Sequence, residues 1–253
     1  MIPDAAFADL VARLTPAPPP PVWSILVTLF GDLAQVPGTA IDGATLRALT
    51  APMGLSPEAV RTALHRLRRD GWIGSRRAGR GSAHALTAKG RAESAAASPR
   101  IYARGQAAER AAMLLADPAA PLPDLPGCRL GPGLLLTPEG GGPDALALPV
   151  PPGTALPAWM ATRLCPPDLR ARAADLATAL ADVRAQFDTL PPPAPLQAAI
   201  LRVLVVHGWR RVVLRQPPLP DHVFPPDWQG ARCRALAHDL LARLPVPDVA
   251  SLA

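Results

Sequence analysis

The chain is short of cysteine, almost free of lysine and without a long apolar run, and each scarcity removes a class of protein. Cys128, Cys165 and Cys233 stand far apart with no C-x-x-C pair, so neither a disulfide framework nor a four-ligand zinc site is on offer. A reducing, cytoplasmic setting suits such a chain. No apolar stretch approaches the roughly 18 residues that a membrane-spanning helix needs, and Asp4 and Asp9 stand where a secretory signal would carry basic and then apolar residues. A soluble, unprocessed protein with no membrane partner is the expectation. Catalytic signatures are missing as well: there is no P-loop, nucleophile elbow or H-E-x-x-H. Asp117, Asp124 and Asp144 fall at loop-like or strand-end positions without forming a carboxylate cluster. The chain reads as a non-enzyme with no cofactor and no metal.

What is present is arginine. Lys89 is the only lysine among 26 basic residues, and the bias toward Ala, Pro and Arg runs through all 253 residues, so arginine content alone proves little. Its placement says more. Between Ser56 and Arg91 nine cations face only Glu58 and Asp70, an excess of seven in a chain whose net charge is +6. A basic island in an otherwise neutral chain is the footprint expected where phosphates are neutralised.

The length suggests two or three small domains. Phe7, Leu10, Val11 and Leu14 predict a short amphipathic arm that stops at the proline-rich stretch from Thr15 to Pro21. It could cover a partner subunit or pack on its own domain. From Val22, Ile25, Leu26, Leu29, Phe30 and Leu33 predict a helix, and Asp42 can cap a second through Thr45, Leu46 and Leu49, closed by Gly54. Ser56 as cap and Pro57 in the first turn open a third helix, with Val60, Ala63, Leu64 and Leu67 on one face. Trp72-Ile73, a glycine-and-arginine tip and His84-Ala85-Leu86 then predict a hairpin, and Thr87 can cap a last helix running toward Tyr102.

The third helix therefore presents Arg61, Thr62, His65, Arg66 and Arg69 on its outer side, candidates for base or nearby phosphate contact in a major groove. Free backbone amides near Ser56 and Pro57 can hold a phosphate, and Arg76, Arg77 and Arg80 on the hairpin can follow the adjacent backbone. The plainer reading of the same residues is a solvated helix face and a surface loop. The preceding capped helix, the tight turn and the following hairpin favour double-stranded DNA as the partner.

Beyond Arg104, strands are predicted at 112–116, 133–137 and 145–150. From Pro166 the chain turns helical, and Leu169, Ala173, Leu176, Leu180, Val183 and Phe187 form a near-heptad stripe, either a dimer seam or a face buried against a neighbouring helix. Further helices run from Leu196 to Arg211 and through Leu236, Leu240 and Leu244. The fold class expected is α+β, mainly helical. The divisions are an arm and linker over 1–21, a winged helix-turn-helix over 22–104, a small α+β section over 105–158 and a helical part over 159–253.

Several stretches taken together resemble the PaaX family of phenylacetate-operon repressors. They are Ser24-Ile25-Leu26-Val27-Thr28-Leu29-Phe30-Gly31-Asp32, the run from Leu55 to Leu67, Gly71-Trp72, Arg100-Ile101-Tyr102, His207-Gly208-Trp209-Arg210-Arg211, Leu214-Arg215 and Pro226-Asp227-Trp228-Gln229-Gly230. The resemblance implies a homodimeric repressor with a winged-helix reader, a ferredoxin-like (Cas2-like) middle domain, a helical C-terminal domain for effector binding and dimerisation, and release from DNA by phenylacetyl-CoA. His207, Arg210, Arg211 and Arg215 could meet the phosphates of such an acyl-CoA effector or form structural ion pairs. Two departures stand out: the chain runs from Met113-Leu114-Leu115 straight into Pro118-Ala119-Ala120-Pro121, which abbreviates the middle domain, and Ala174 stands where the pattern expects Trp. Two rival readings are a Cas2-like metal-dependent nuclease and a winged helix that binds protein; a basic recognition face speaks against the second.

Overall fold

The protein is described from a computed structural model, which covers residues 1–78, 81–120, 122, 124–138, 140 and 144–252. Among these lie nine α-helices and two antiparallel sheets, so the chain is a mixed α/β protein dominated by helix.

The first helix, α1 (Asp4–Leu14), buries Leu10, Val11 and Leu14 against α7 (Pro167–Phe187) and α8 (Pro195–Val213). Its start is tied down: the Ile2 amide donates to Gln197 Oε1 at 3.1 Å, and Gln197 Nε2 returns a bond to the Ile2 carbonyl at 2.9 Å. The arm packs on its own chain, mainly against helices of the C-terminal part rather than on the segment that follows it.

The elements that follow, up to residue 102, keep closely to the local signals with one exception. α2 (Val22–Leu33) begins after the proline stretch, and α3 (Gly43–Thr50) is capped by Asp42, whose carboxylate accepts from the amides of Ala44 and Thr45 at 2.8 and 2.9 Å. Gly54, at φ +72°, makes the left-handed turn that an L side chain resists, and α4 (Pro57–Arg69) starts three residues later. A hairpin of β2 (Ile73–Ala78) and β3 (Gly81–Leu86) follows, and β1 (Ile41–Asp42), absent from the sequence expectation because it is only two residues long, completes the sheet in the order β1-β3-β2. α5 (Ala88–Tyr102) is capped by Thr87, and at Gly90 a Cβ would stand 2.2 Å from the Trp72 carbonyl oxygen, so this turn of helix can approach the hairpin only without a side chain.

The middle of the chain forms the second sheet, β4 (Ala112–Ala116), β5 (Cys128–Gly131), β6 (Leu134–Thr137) and β7 (Ala145–Pro149), all antiparallel in the order β5-β6-β4-β7. β5 was not expected, because four residues containing Arg and Gly carry no readable alternation. A short helix, α6 (Ala158–Leu164), also precedes the expected helical start.

The rest is helical, ending in α9 (Gly230–Arg243). The near-heptad stripe of α7 is spent inside the chain: Leu169, Ala173, Leu176, Leu180 and Val183 are buried, and α7 packs on α1, α8 and α9. α8 is the hub. It is buried almost all round, from Ala199 through His207 and at Trp209 and Val212, and touches α1, α2, α3, α5, α7 and α9. A helix apolar on every side has to be surrounded, and its neighbours come from both ends of the chain.

Candidate nucleic-acid interface

α4 is held by its apolar face and shows its polar one. Val60, Ala63, Leu64 and Leu67 are buried, with α2 as the principal neighbour, whereas Glu58, Arg61, Thr62, His65, Arg66, Arg68 and Arg69 are exposed. Ser56 Oγ accepts from the Ala59 amide at 3.2 Å and Pro57 occupies the first helical position, which fixes where the free amides of the first turn point.

The outer residues are not equivalent. Among the described residues, Arg61, Thr62 and His65 make no hydrogen bond or ion pair. Arg69 Nε lies 3.5 Å from Asp70 in a pair that is well exposed and correspondingly weak. Arg66 is held more firmly, with its guanidinium 4.5 Å over the Trp23 ring of α2 and its Nε 3.6 Å from Asp70. Sequence periodicity put Arg66 with the readers; the structure shows it leaning toward its own helix bundle.

On the hairpin, Arg76 and Arg77 pair across from Ala83 and Ser82 and are exposed. Arg80 lies outside the described residues. His84, on the middle strand, is buried and its Nδ1 lies 2.7 Å from Ser75 Oγ. Burial, then the nearby Arg68, lowers its pKa, so the ring adds no charge to this surface near neutral pH. The surface thus collects Arg61, Thr62, His65, Arg69, Arg76 and Arg77 on one helix and the hairpin that follows it.

The C-terminal candidates do not line one common cavity. His207 is 1% exposed, with Nδ1 2.9 Å from Thr28 Oγ1 and Nε2 without a partner among the described residues. Burial, reinforced by Arg210, Arg211 and Arg172, pushes its pKa down to about 3. Arg210 donates to Thr28 Oγ1 at 3.0 Å and to the Ser24 carbonyl at 3.3 Å. Arg215 pairs with Asp168 at 2.8 Å. Only Arg211 faces a cavity without a bonded partner among the described residues. That cavity, of about 380 Å³, lies between the end of α1, α7 and α8 and is lined by Leu14, Pro18, Arg172 and Leu176.

What sequence reasoning missed is the joint beneath the basic surface. Arg202 of α8 grips Asp32 of α2 through two bonds of 2.8 Å and reaches the Leu244 carbonyl at 2.7 Å, while Tyr102 at the end of α5 donates to the same carboxylate at 2.6 Å. Burial and the Asp32 charge raise the Tyr102 pKa. Trp209 Nε1 donates to the Ile101 carbonyl at 2.9 Å, and Arg100 binds the carbonyls of Val213, Leu214 and Gln216 at the end of α8. No local pattern flags an arginine inside an apolar helix as the partner of an aspartate 170 residues earlier.

Residues 22–90 match the family described as PaaX-like protein, and residues 168–248 match the PaaX-like protein C-terminal domain. This chain belongs to the PaaX-like family. It is also 29% identical over 252 residues to the transcriptional repressor PaaX of Escherichia coli (strain K12), covering 87% of this chain and 79% of that protein. The two PaaX-like segments hold the two sides of the joint, with Asp32 and Thr28 in the first and Arg202, His207 and Arg210 in the second. No helix among the described residues is long and apolar enough to cross a membrane.

Proposed function

We propose that this protein is a sequence-specific DNA-binding transcriptional repressor whose reader is a winged helix-turn-helix over 22–104, with α4 in the major groove and the β2–β3 hairpin along the neighbouring backbone. The observation that carries the reading is the outer face of α4, where Arg61, Thr62 and His65 are exposed and make no bond to the protein among the described residues. Arg and Thr side chains so placed can pair with base edges, the free first-turn amides near Ser56 and Pro57 suit a phosphate, and Arg69, Arg76 and Arg77 suit the flanking phosphates. Arg66, stacked on Trp23, positions the helix and lends charge.

The middle sheet supports an abbreviated ferredoxin-like section over 105–158. Its order β5-β6-β4-β7, antiparallel throughout, is the order of a βαββαβ unit. The helical part, 159–253, would carry effector binding and dimerisation. The family points to an aromatic-acid catabolic operon, with release by an acyl-CoA such as phenylacetyl-CoA. The cavity bounded by Leu14, Leu176, Arg172 and Arg211 offers such a ligand an apolar wall and guanidinium groups, with the carboxylates of Asp168 and Asp175 also in its lining.

A gel-shift on the chain's own upstream DNA, titrated with acyl-CoA thioesters, tests target and ligand together. Tighter binding to that duplex than to an unrelated one, weakening steeply with salt, is expected. Equal affinity for both would sink the repressor reading. Failure of every thioester to displace the protein would remove the effector and leave the DNA reading standing.

A further inference from the structure

A second cleft, of about 380 Å³, opens where the middle sheet, α6 and the end of α8 meet. Four arginines line it, Arg100, Arg129, Arg163 and Arg215, and no carboxylate does so among the described residues. Their engagements differ. Arg100 is spent on the carbonyls that end α8 and so neutralises the negative pole of that helix. Arg129 Nη2 lies 3.5 Å from the Leu122 carbonyl, and Arg215 pairs with Asp168 just outside the lining. The Arg163 side chain has no hydrogen bond or ion pair among the described residues.

Two more groups face the same space. Pro166 and Leu169, at the start of the 21-residue helix α7, line the cleft and turn the positive end of that helix toward it. Gln216 is 4% exposed, and its Oε1 finds no hydrogen-bond partner among the described residues. A buried amide oxygen without a donor is costly, and a bound N–H or O–H would relieve it. Inorganic phosphate can meet the arginines, but a phosphate carried on a hydroxyl-bearing carbon skeleton brings a donor separate from the phosphate group and can meet the arginines and Gln216 at once.

The geometry points to a binding site for a small hydroxyl-bearing phosphate ester, a sugar phosphate or a nucleotide, with its phosphate on Arg163 and Arg215 and a hydroxyl on Gln216. This site is separate from the cavity beside Arg211 and does not depend on the acyl-CoA reading. Because Arg100 belongs to α5, which closes the DNA-reading segment, occupancy would be felt at the end of that segment.

Isothermal titration of the full chain with ribose 5-phosphate, ADP and inorganic phosphate tests it at fixed ionic strength. Saturable one-to-one binding of at least one ester, tighter than inorganic phosphate, is expected. Arg163→Gln should weaken it about tenfold, as loss of one charge-assisted contact does, and this exposed, unpaired residue can be changed without disturbing the fold. Gln216→Leu should erase the advantage of ester over inorganic phosphate. Arg61→Ala with Arg69→Ala, on the DNA face, should leave binding unchanged. Tighter binding of ADP than of ribose 5-phosphate would assign the nucleotide, and equal binding the sugar phosphate. No saturable binding of either ester, inorganic phosphate binding as tightly as both, or loss through the α4 variants rather than Arg163→Gln would overturn the proposal.

Discussion

α4 and α8 both carry several arginines, and they use them in opposite ways. On α4 the apolar residues fill one face, so Arg61, Arg68 and Arg69 are driven outward into water, and Arg66 stays exposed while stacking on Trp23. On α8 the apolar residues occupy nearly the whole circumference, so Arg202 has no route to water and its charge must be met inside, by Asp32 and the Leu244 carbonyl. The same side chain stays in water in one place and rivets the core in the other. The number of apolar neighbours around the helix decides which.

That contrast can be broken most sharply at Asp32. Replacing it with Ala leaves Arg202 buried and unpaired and should cost about 3–5 kcal/mol of stability, measured by urea unfolding. A loss no larger than that of an exposed α4 variant would show that α8 does not bury its charge. Acid probes the same joint through His207. The ring's folded pKa is pushed down to about 3, so its contribution to stability is complete above the ordinary histidine value of about 6.5 and is lost as pH falls toward 3. The loss should reach about 1.4 kcal/mol per pH unit. His84, also lowered, acts in the same direction. Unfolding midpoints across that range should slope less steeply in His207→Gln than in the native chain; a slope left unchanged by the substitution would remove His207 as a source.

The outer face should respond in binding and hardly at all in stability. Arg61→Ala is expected to cost about 1–3 kcal/mol of discrimination between cognate and altered sites, with its unfolding midpoint unmoved, as competition gel-shifts and melts would report. Ser56→Ala removes the cap of α4 and should cost about 1 kcal/mol of stability. Arg77→Ala should change stability by less than about 0.5 kcal/mol while lowering the salt slope of DNA binding by about one. A weakening confined to the cognate site would instead make Arg77 a base reader.

Much of the N-terminal half was legible in the sequence, because its information is local. Asp42, Ser56 and Thr87 are caps that name their helices, Gly54 names a turn, and the spacing of Val60, Ala63, Leu64 and Leu67 forces Arg61 and His65 outward whatever else the chain does. β1 and β5 escaped, because two and four residues of strand owe their existence to the partner that pairs with them.

The sequence by itself determined where a cationic helix begins, which way it faces and that a hairpin follows it. Only the tertiary structure decided that Arg66 leans on Trp23, that the stripe of α7 is spent inside the chain, and that His207 and Arg210 meet at Thr28 while Arg215, just past the end of α8, turns to Asp168. Caps and amphipathic faces act over one or two turns of backbone. A buried charge finds its partner only after packing has removed the water, and that partner can come from any part of the chain.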